Sequence, residues 1–212
     1  MVGLSIPGDV VGQPNAYMLD NTNGANLLTV PFGHSLDILN YVLGEFASLS
    51  AQVEVRRPLI TIEETDERVV KTAPDQIAVI GTLTSGATVS IHIREAVAGG
   101  TGFLWEINGT DGTLRITAPA ALPEIFPLTV AGAQGRNALA ELPVPTALTQ
   151  KWPALTSLVG APAFNVARAY AAFAADIDNA THAVPDFADA VRRHELIAAI
   201  ERSAASGERV RL

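Results

Sequence analysis

The 212 residues contain no cysteine. That excludes disulfides, thiolate zinc sites and a cysteine nucleophile. It also fits a reducing, cytoplasmic setting. No run of about 18 apolar residues occurs, so no helix is expected to span a membrane. The opening Met1 to Asp9 has no basic stretch and no long apolar core, and so does not read as a signal peptide. Positive charge is scarce as well: 14 Lys and Arg stand against 22 Asp and Glu, a net charge of −8. The densest basic pairs are Arg56-Arg57 and Arg192-Arg193. A nucleic-acid partner would call for a basic patch, so none is expected. Neither G-x-x-x-x-G-K-[ST] nor G-x-G-x-x-G is present. The nearest run, Gly99-Gly100-Thr101-Gly102, lacks the spacing, falls between extended segments and reads as a flexible loop. The chain therefore shows no dinucleotide site of its own, and no metal site.

What is present suits one globular unit. The chain is 48% hydrophobic and 17% charged, and a chain of this length can bury roughly 70% of its unfolded surface. Leu4-Ser5-Ile6 reads as a short, abruptly starting strand that Pro7-Gly8 closes. Asn21-Thr22-Asn23-Gly24 is a turn and a helix entry. Leu28, Phe32, Leu36, Leu39 and Leu43 then recur at helical steps. Val30, His34, Ile38 and Tyr41 make the opposite side apolar too, so this helix is expected to be buried nearly all round. Pro31 kinks it or marks its true start, and Gly44 ends it.

Extended segments follow at 49–57, 75–84, 87–95, 103–108 and 113–117. Thr84 to Ala87 and Gly109 to Gly112 join neighbours as hairpins. Shorter strands are expected at 128–130 and 139–142, inside a Pro- and Gly-rich stretch. Helical stripes close the chain: Val166, Tyr170, Phe173 and Ile177, then Phe187, Ala190, Val191, His194, Ile197 and Ala198. Asp186 is placed to cap the second helix and Gly207 to end it.

Strands that run consecutively with helices at either end predict an α+β fold, a mostly antiparallel open sheet with helices packed on one face. No linker divides the chain, so residues 1–212 read as a single domain. Ile77-Ala78-Val79-Ile80 is apolar at both parities, where a solvated face should alternate. The open face is therefore expected to meet another chain or domain.

Among the four histidines, only His34 has a carboxylate at helical spacing, Asp37 at i, i+3. Such a pair can act as an oriented general base. Spacing alone favours the plainer reading, a His–Asp hydrogen bond that steadies the helix. His92 reads as a half-exposed strand residue, His182 as a solvated loop residue, and His194 as packed or at an interface. Glu63 to Glu67 is an acidic cluster without a cation-loop pattern, and reads as a hairpin tip.

Gly24-Ala25-Asn26-Leu27-Leu28-Thr29-Val30-Pro31-Phe32-Gly33-His34-Ser35-Leu36-Asp37, with Leu43-Gly44-Glu45 after it, resembles the helix signature of the C-terminal domain in the Gfo/Idh/MocA oxidoreductase family. Glu106 to Leu114 is similar to that family's G-T-x-G hairpin, and Pro185 to Gly207 to its closing helix. Leu4 to Gly8, Pro31 to His34 and Asn165 to Tyr170 are most similar to the branch that includes the fungal galactose-regulon repressor. The resemblance implies an open sheet that carries substrate and oligomer contacts. It implies a Rossmann domain elsewhere that binds NAD or NADP and supplies a catalytic Lys. It implies His34 as acid/base, with Asp37 supporting its helix or ring. The family's Asp four residues before that His is Val30 here, and Gly33 sits one residue late. No Rossmann domain stands ahead of Met1 in this sequence. The expectation is a substrate-binding and homo-oligomerising domain of an NAD(P)-dependent oxidoreductase of sugar-like or polyol substrates, inactive without a Rossmann domain. The alternative is a non-catalytic regulatory module that binds a partner protein.

Overall fold

Pro31 sets the start of the first helix. It has no backbone N–H to offer, which suits a first turn, and α1 (Pro31–Leu43) begins on it. Leu28 is buried but lies ahead of the helix, in a turn. There the Asn26 side-chain oxygen accepts the N–H groups of Leu28 at 2.9 Å and Thr29 at 3.2 Å. Gly44 closes α1 with φ 93°, a left-handed value that glycine adopts without strain. The computed structural model describes residues 2–3, 9–95, 102–120 and 122–212. The expected strand at Leu4 to Ile6, its Pro7-Gly8 end, and Gly99 to Thr101 of the glycine run lie outside the described residues.

The strands are β1 (Val2–Gly3), β2 (Val10–Val11), β3 (Phe46–Glu54), β4 (Leu59–Ile62), β5 (Arg68–Val70), β6 (Gln76–Leu83), β7 (Thr88–Arg94), β8 (Phe103–Asn108), β9 (Gly112–Ala118), β10 (Thr129–Gln134), β11 (Ala140–Glu141) and β12 (Val210–Arg211). Nine of them form one sheet in the order β11-β10-β9-β8-β1-β7-β6-β3-β12. Every pair in it is antiparallel except β1 with β7. Both expected hairpins, β6–β7 and β8–β9, are present. A small sheet, β2-β4-β5, stands apart over its own cluster of Leu19, Ile60 and Ile62. The sequence reading had no strands there, because each is only two to four residues long. Glu63 to Asp66 forms the turn between β4 and β5, as the acidic tip was expected to do.

The remaining helices are α2 (Thr146–Thr149), α3 (Ala163–Asn179) and α4 (Phe187–Ser206). The second half of α4 packs along β3 and β12, and α1 packs beside α4. Together they bury one sheet face around Phe32, Leu36, Leu49, Ile77, Val79 and Ile200. Gly81 is required here: a Cβ on it would lie 2.6 Å from the Phe46 ring. Ser203, also buried, accepts the Ala51 N–H at 3.0 Å and donates to the Glu208 carbonyl at 2.7 Å. It thereby pins α4 to β3. Asp186 caps α4 in a reciprocal box with Asp189, and Gly207 ends it at φ 71°, both as expected. The α+β architecture with an open, mostly antiparallel sheet is as the sequence implied.

Two expectations are corrected. α1 is not buried all round: Phe32, Leu36 and Leu39 are inside, whereas Tyr41 is 91% exposed and Val30 40%. On its outer side His34 and Asp37 line a cavity, and Tyr41 lies outside it in the open. The open sheet face is also more polar than Ile77 to Ile80 suggested. Ile77 and Val79 point into the core, and Ile80, 63% exposed, stands between Ser50 and Ser90 on the neighbouring strands.

Candidate functional site

The open side of α1 forms one wall of a cavity of about 990 Å³. Its other walls are the end of α3, the connection 180–186 and the first turns of α4. That volume lies at the upper end of the range for small-molecule sites, roughly 300–1,000 Å³. His34, Asp37, His182 and His194 all line it.

Each wall has a local cause. At the end of α3, Ala180 takes a left-handed φ of 52°, and the buried carboxylate of Asp176 gathers the turn beyond it. Asp176 accepts the Thr181 hydroxyl at 2.5 Å, the Ala183 N–H at 2.8 Å and the Val184 N–H at 2.9 Å. The Thr181 hydroxyl first, then the two amides, hold its carboxyl below its ordinary range. Asp186 is held low in the same direction by the N–H groups of Asp189 and Ala188 that it caps. The connection is thus fixed by carboxylates already committed to backbone.

Asp37 is likewise engaged. It accepts Arg193 Nε at 3.2 Å, and the other guanidinium nitrogens reach Glu45 at 3.2 and 3.3 Å. Arg193 is mostly buried, so this fork ties α4 to the middle of α1 and to Glu45 just past its end. Glu45 also accepts the Asn40 amide, whose own oxygen is buried without a partner among the described residues. His34 is exposed at the cavity wall. The fold brings His34 and Asp37 to the same cavity, but no hydrogen bond joins them among the described residues. Asp37 positions helices, and the His34 imidazole has no hydrogen bond or ion pair among the described residues.

Arg193, Asp176 and Asn26 escaped the sequence reading. Arg193 is 156 residues from Asp37, so no local spacing could pair them. Asn26 stood inside the quoted signature, and its turn chemistry was the available signal. His92 lies away from the cavity on the open face, 3.2 Å from Gln76. Burial, then the nearby Arg94 charge, lowers its pKa. His194 is exposed, not packed, and His182 is exposed in its loop as expected.

The rim is apolar. Phe173 and Ile177 of α3 and Phe187 of α4 line the mouth, and Phe187 is 92% exposed. A phosphate cradle is missing among the described residues here. Arg193 is spent on two carboxylates, and the α4 N-terminus is filled by its own Asp186 and Asp189. The cavity does not suit the pyrophosphate of a dinucleotide. No group of His, Asp and Glu among the described residues could hold a metal ion, and no described helix is long and apolar enough to cross a membrane.

A family model described as "Gal80p, C-terminal domain" matches residues 3–118. The dehydrogenase aclE of Aspergillus oryzae is 28% identical over 201 residues, 89% of this chain and 49% of that protein. The galactose/lactose metabolism regulatory protein GAL80 of Kluyveromyces lactis is 29% identical over 127 residues, 54% of this chain and 27% of that protein. The chain spans no more than about half the length of these relatives. Among solved structures, a super-repressor mutant of Gal80p from Saccharomyces cerevisiae superposes with a TM-score of 0.81 at 24% identity, over 100% of this chain and 56% of that one. Levoglucosan dehydrogenase in complex with NADH and levoglucosan gives 0.74 at 20% identity, over 100% and 58%. At these identities the likeness is one of fold.

Proposed function

The chain belongs to the Gal80p C-terminal domain family, and on that premise we propose that residues 1–212 form one substrate-binding and assembly domain of an NAD(P)-dependent oxidoreductase of sugar-like or polyol substrates. The observation that carries this reading is the cavity itself. It holds an unengaged imidazole, His34, on a wall braced by the Asp37–Arg193–Glu45 fork, and its mouth is rimmed with exposed apolar side chains. Such a mouth suits a second domain that closes it.

The cavity does not fit the dinucleotide, so a Rossmann domain would hold NAD or NADP and supply the hydride chemistry. This chain would orient the sugar and take a proton. A neutral His34 imidazole accepts the proton of a substrate hydroxyl on its free nitrogen and becomes imidazolium. Asp37 acts at a distance, by holding α1 against α4. The open sheet face, with Ser50, Ala78, Ile80 and Ser90 laid flat, would serve a homodimer in the cytoplasm.

A regulatory reading has one observation in its favour. Val30, not a carboxylate, stands one turn before His34 and is 40% exposed at the cavity. The GAL80 relatives are named as regulatory proteins. On that reading the cavity rim would bind a partner protein instead of a sugar.

The test is titration of the chain with levoglucosan, with glucitol and separately with NADH and NADPH, followed by the imidazole resonances of His34. The expected result is a sugar-dependent shift at His34 with no dinucleotide binding. Dinucleotide binding at micromolar concentration would refute the division of labour. No shift with either polyhydroxy compound would leave the regulatory reading in its place.

A further inference from the structure

The charge around the His34 cavity is one-sided. Four carboxylates line it, those of Asp37, Asp176, Asp186 and Asp189, against a single guanidinium, that of Arg193. No other Lys or Arg stands among its described lining residues. Asp176 and Asp186 titrate below the ordinary aspartate range, Asp176 first through the Thr181 hydroxyl and Asp186 first through the Asp189 amide. Both therefore carry their charge at neutral pH.

The one cation in the wall is already paired. Arg193 Nε faces Asp37, and both terminal nitrogens face Glu45. Acceptors remain open. Asp37 Oδ1 takes Arg193, and Asp186 Oδ1 takes the Ala188 and Asp189 amides. The second oxygen of each has no hydrogen bond among the described residues. His34, His182 and His194 add three imidazoles to the lining, also without a hydrogen bond among the described residues. A neutral imidazole offers one acceptor nitrogen and one N–H. An occupant thus meets acceptors and a net negative wall.

A metal ion would answer that charge only where ligands converge, and no group of His, Asp and Glu among the described residues could hold one. Charge spread over the walls of a cleft instead raises the local concentration of cations in general. The rim adds aromatic faces: Phe173 and Phe187 are exposed at the mouth, and an ammonium is attracted to the face of a Phe ring. A sugar acid would be repelled by the same four carboxylates.

We propose that the occupant of this cavity is a cationic polyhydroxy compound, an amino sugar or amino polyol whose ammonium lies among the cavity carboxylates. This rests on the reading of the cavity as a sugar or polyol site and narrows it.

Three compounds on one carbon skeleton separate charge from shape. Glucitol, glucamine and gluconate carry a hydroxyl, an ammonium and a carboxylate at the same end. Each is titrated into the chain at about pH 8, where an alkylamine is still an ammonium. The readout is the imidazole resonances of His34, His182 and His194. Glucamine is expected to bind about tenfold more tightly than glucitol, and gluconate about tenfold more weakly. Added salt should shrink both gaps. Asp186→Asn removes one charge and keeps a side chain that caps a helix. Asp37→Asn removes another and keeps an oxygen for Arg193. Each should narrow the glucamine-to-glucitol ratio by about threefold. Equal affinity for glucitol and glucamine would overturn the proposal and leave the sugar reading standing. So would a preference for gluconate. A glucamine preference that neither substitution alters would overturn it too, since the charge it responds to would lie outside the cavity. Failure of all three compounds to bind would remove the sugar reading, and this inference with it.

Discussion

α1 and α3 carry apolar stripes of similar quality, and the fold treats them in opposite ways. On α1, Phe32 and Leu36 are fully buried against the sheet. On α3, Val166, Tyr170, Phe173 and Ile177 all remain exposed, Tyr170 by 72%. α4 shows the same contrast within a single helix: Phe187 and Val191 lie in the open, while Leu196, Ile197 and Ile200 are buried. Helical spacing specifies a helix and an apolar side, but not what covers that side. Phe173, Ile177 and Phe187 of the exposed stripes line the His34 cavity and form an apolar surface of the kind that suits a partner, whereas the buried seam is what holds this chain together.

The sharpest way to break this contrast is to cut each surface. Leu36→Ala should destabilise the chain by about 2–5 kcal/mol, as buried Leu→Ala changes do. Urea unfolding measures it, and a loss below about 1 kcal/mol would mean that the seam is not the core. Ser203→Ala comes next. It removes the acceptor of the part-buried Ala51 N–H and should cost about 0.5–1.5 kcal/mol, visible in the same denaturation curve.

Asp176 tests the cavity wall through pH. Its folded carboxyl sits below the ordinary value of 3.8. A lowered folded value contributes stability that is present above 3.8 and lost as pH falls through the folded value. The order of the 180–185 connection should therefore decay below pH 3.8, as read by amide exchange at Ala183 and Val184. Asp176→Asn should show fast exchange at both amides already at neutral pH, with little further change on acidification. The smallest effect belongs to α3: Phe173→Ser should shift stability by less than about 0.5 kcal/mol, the range of surface changes. A cost near that of Leu36→Ala would show that the stripe has a partner within the chain.

The long alternating segments and both hairpins were legible because strand periodicity and Gly-containing turns are local signals. The caps of α4 were legible for the same reason: Asp186 and Gly207 act within a few residues. The family resemblance, carried by the Gly24 to Asp37 signature, is borne out by the family match. The small β2-β4-β5 sheet was invisible because its strands are too short to show a period. The Arg193 fork was invisible because its partners come from opposite ends of the chain. The burial of α1 was misjudged because an apolar residue left in the open, as Tyr41 is, looks in sequence like one facing a core. His34 and Asp37 were both legible as candidates, but the engagement of Asp37 by Arg193 had no local signal.

The most direct test of the assembly domain is light scattering at micromolar concentrations, on the chain and on two surface variants. The account predicts a homodimer that Ile80→Lys, on the open sheet face, dissociates and that Phe173→Lys, at the cavity mouth, leaves intact. A monomer, or a dimer broken by Phe173→Lys and indifferent to Ile80→Lys, would contradict it.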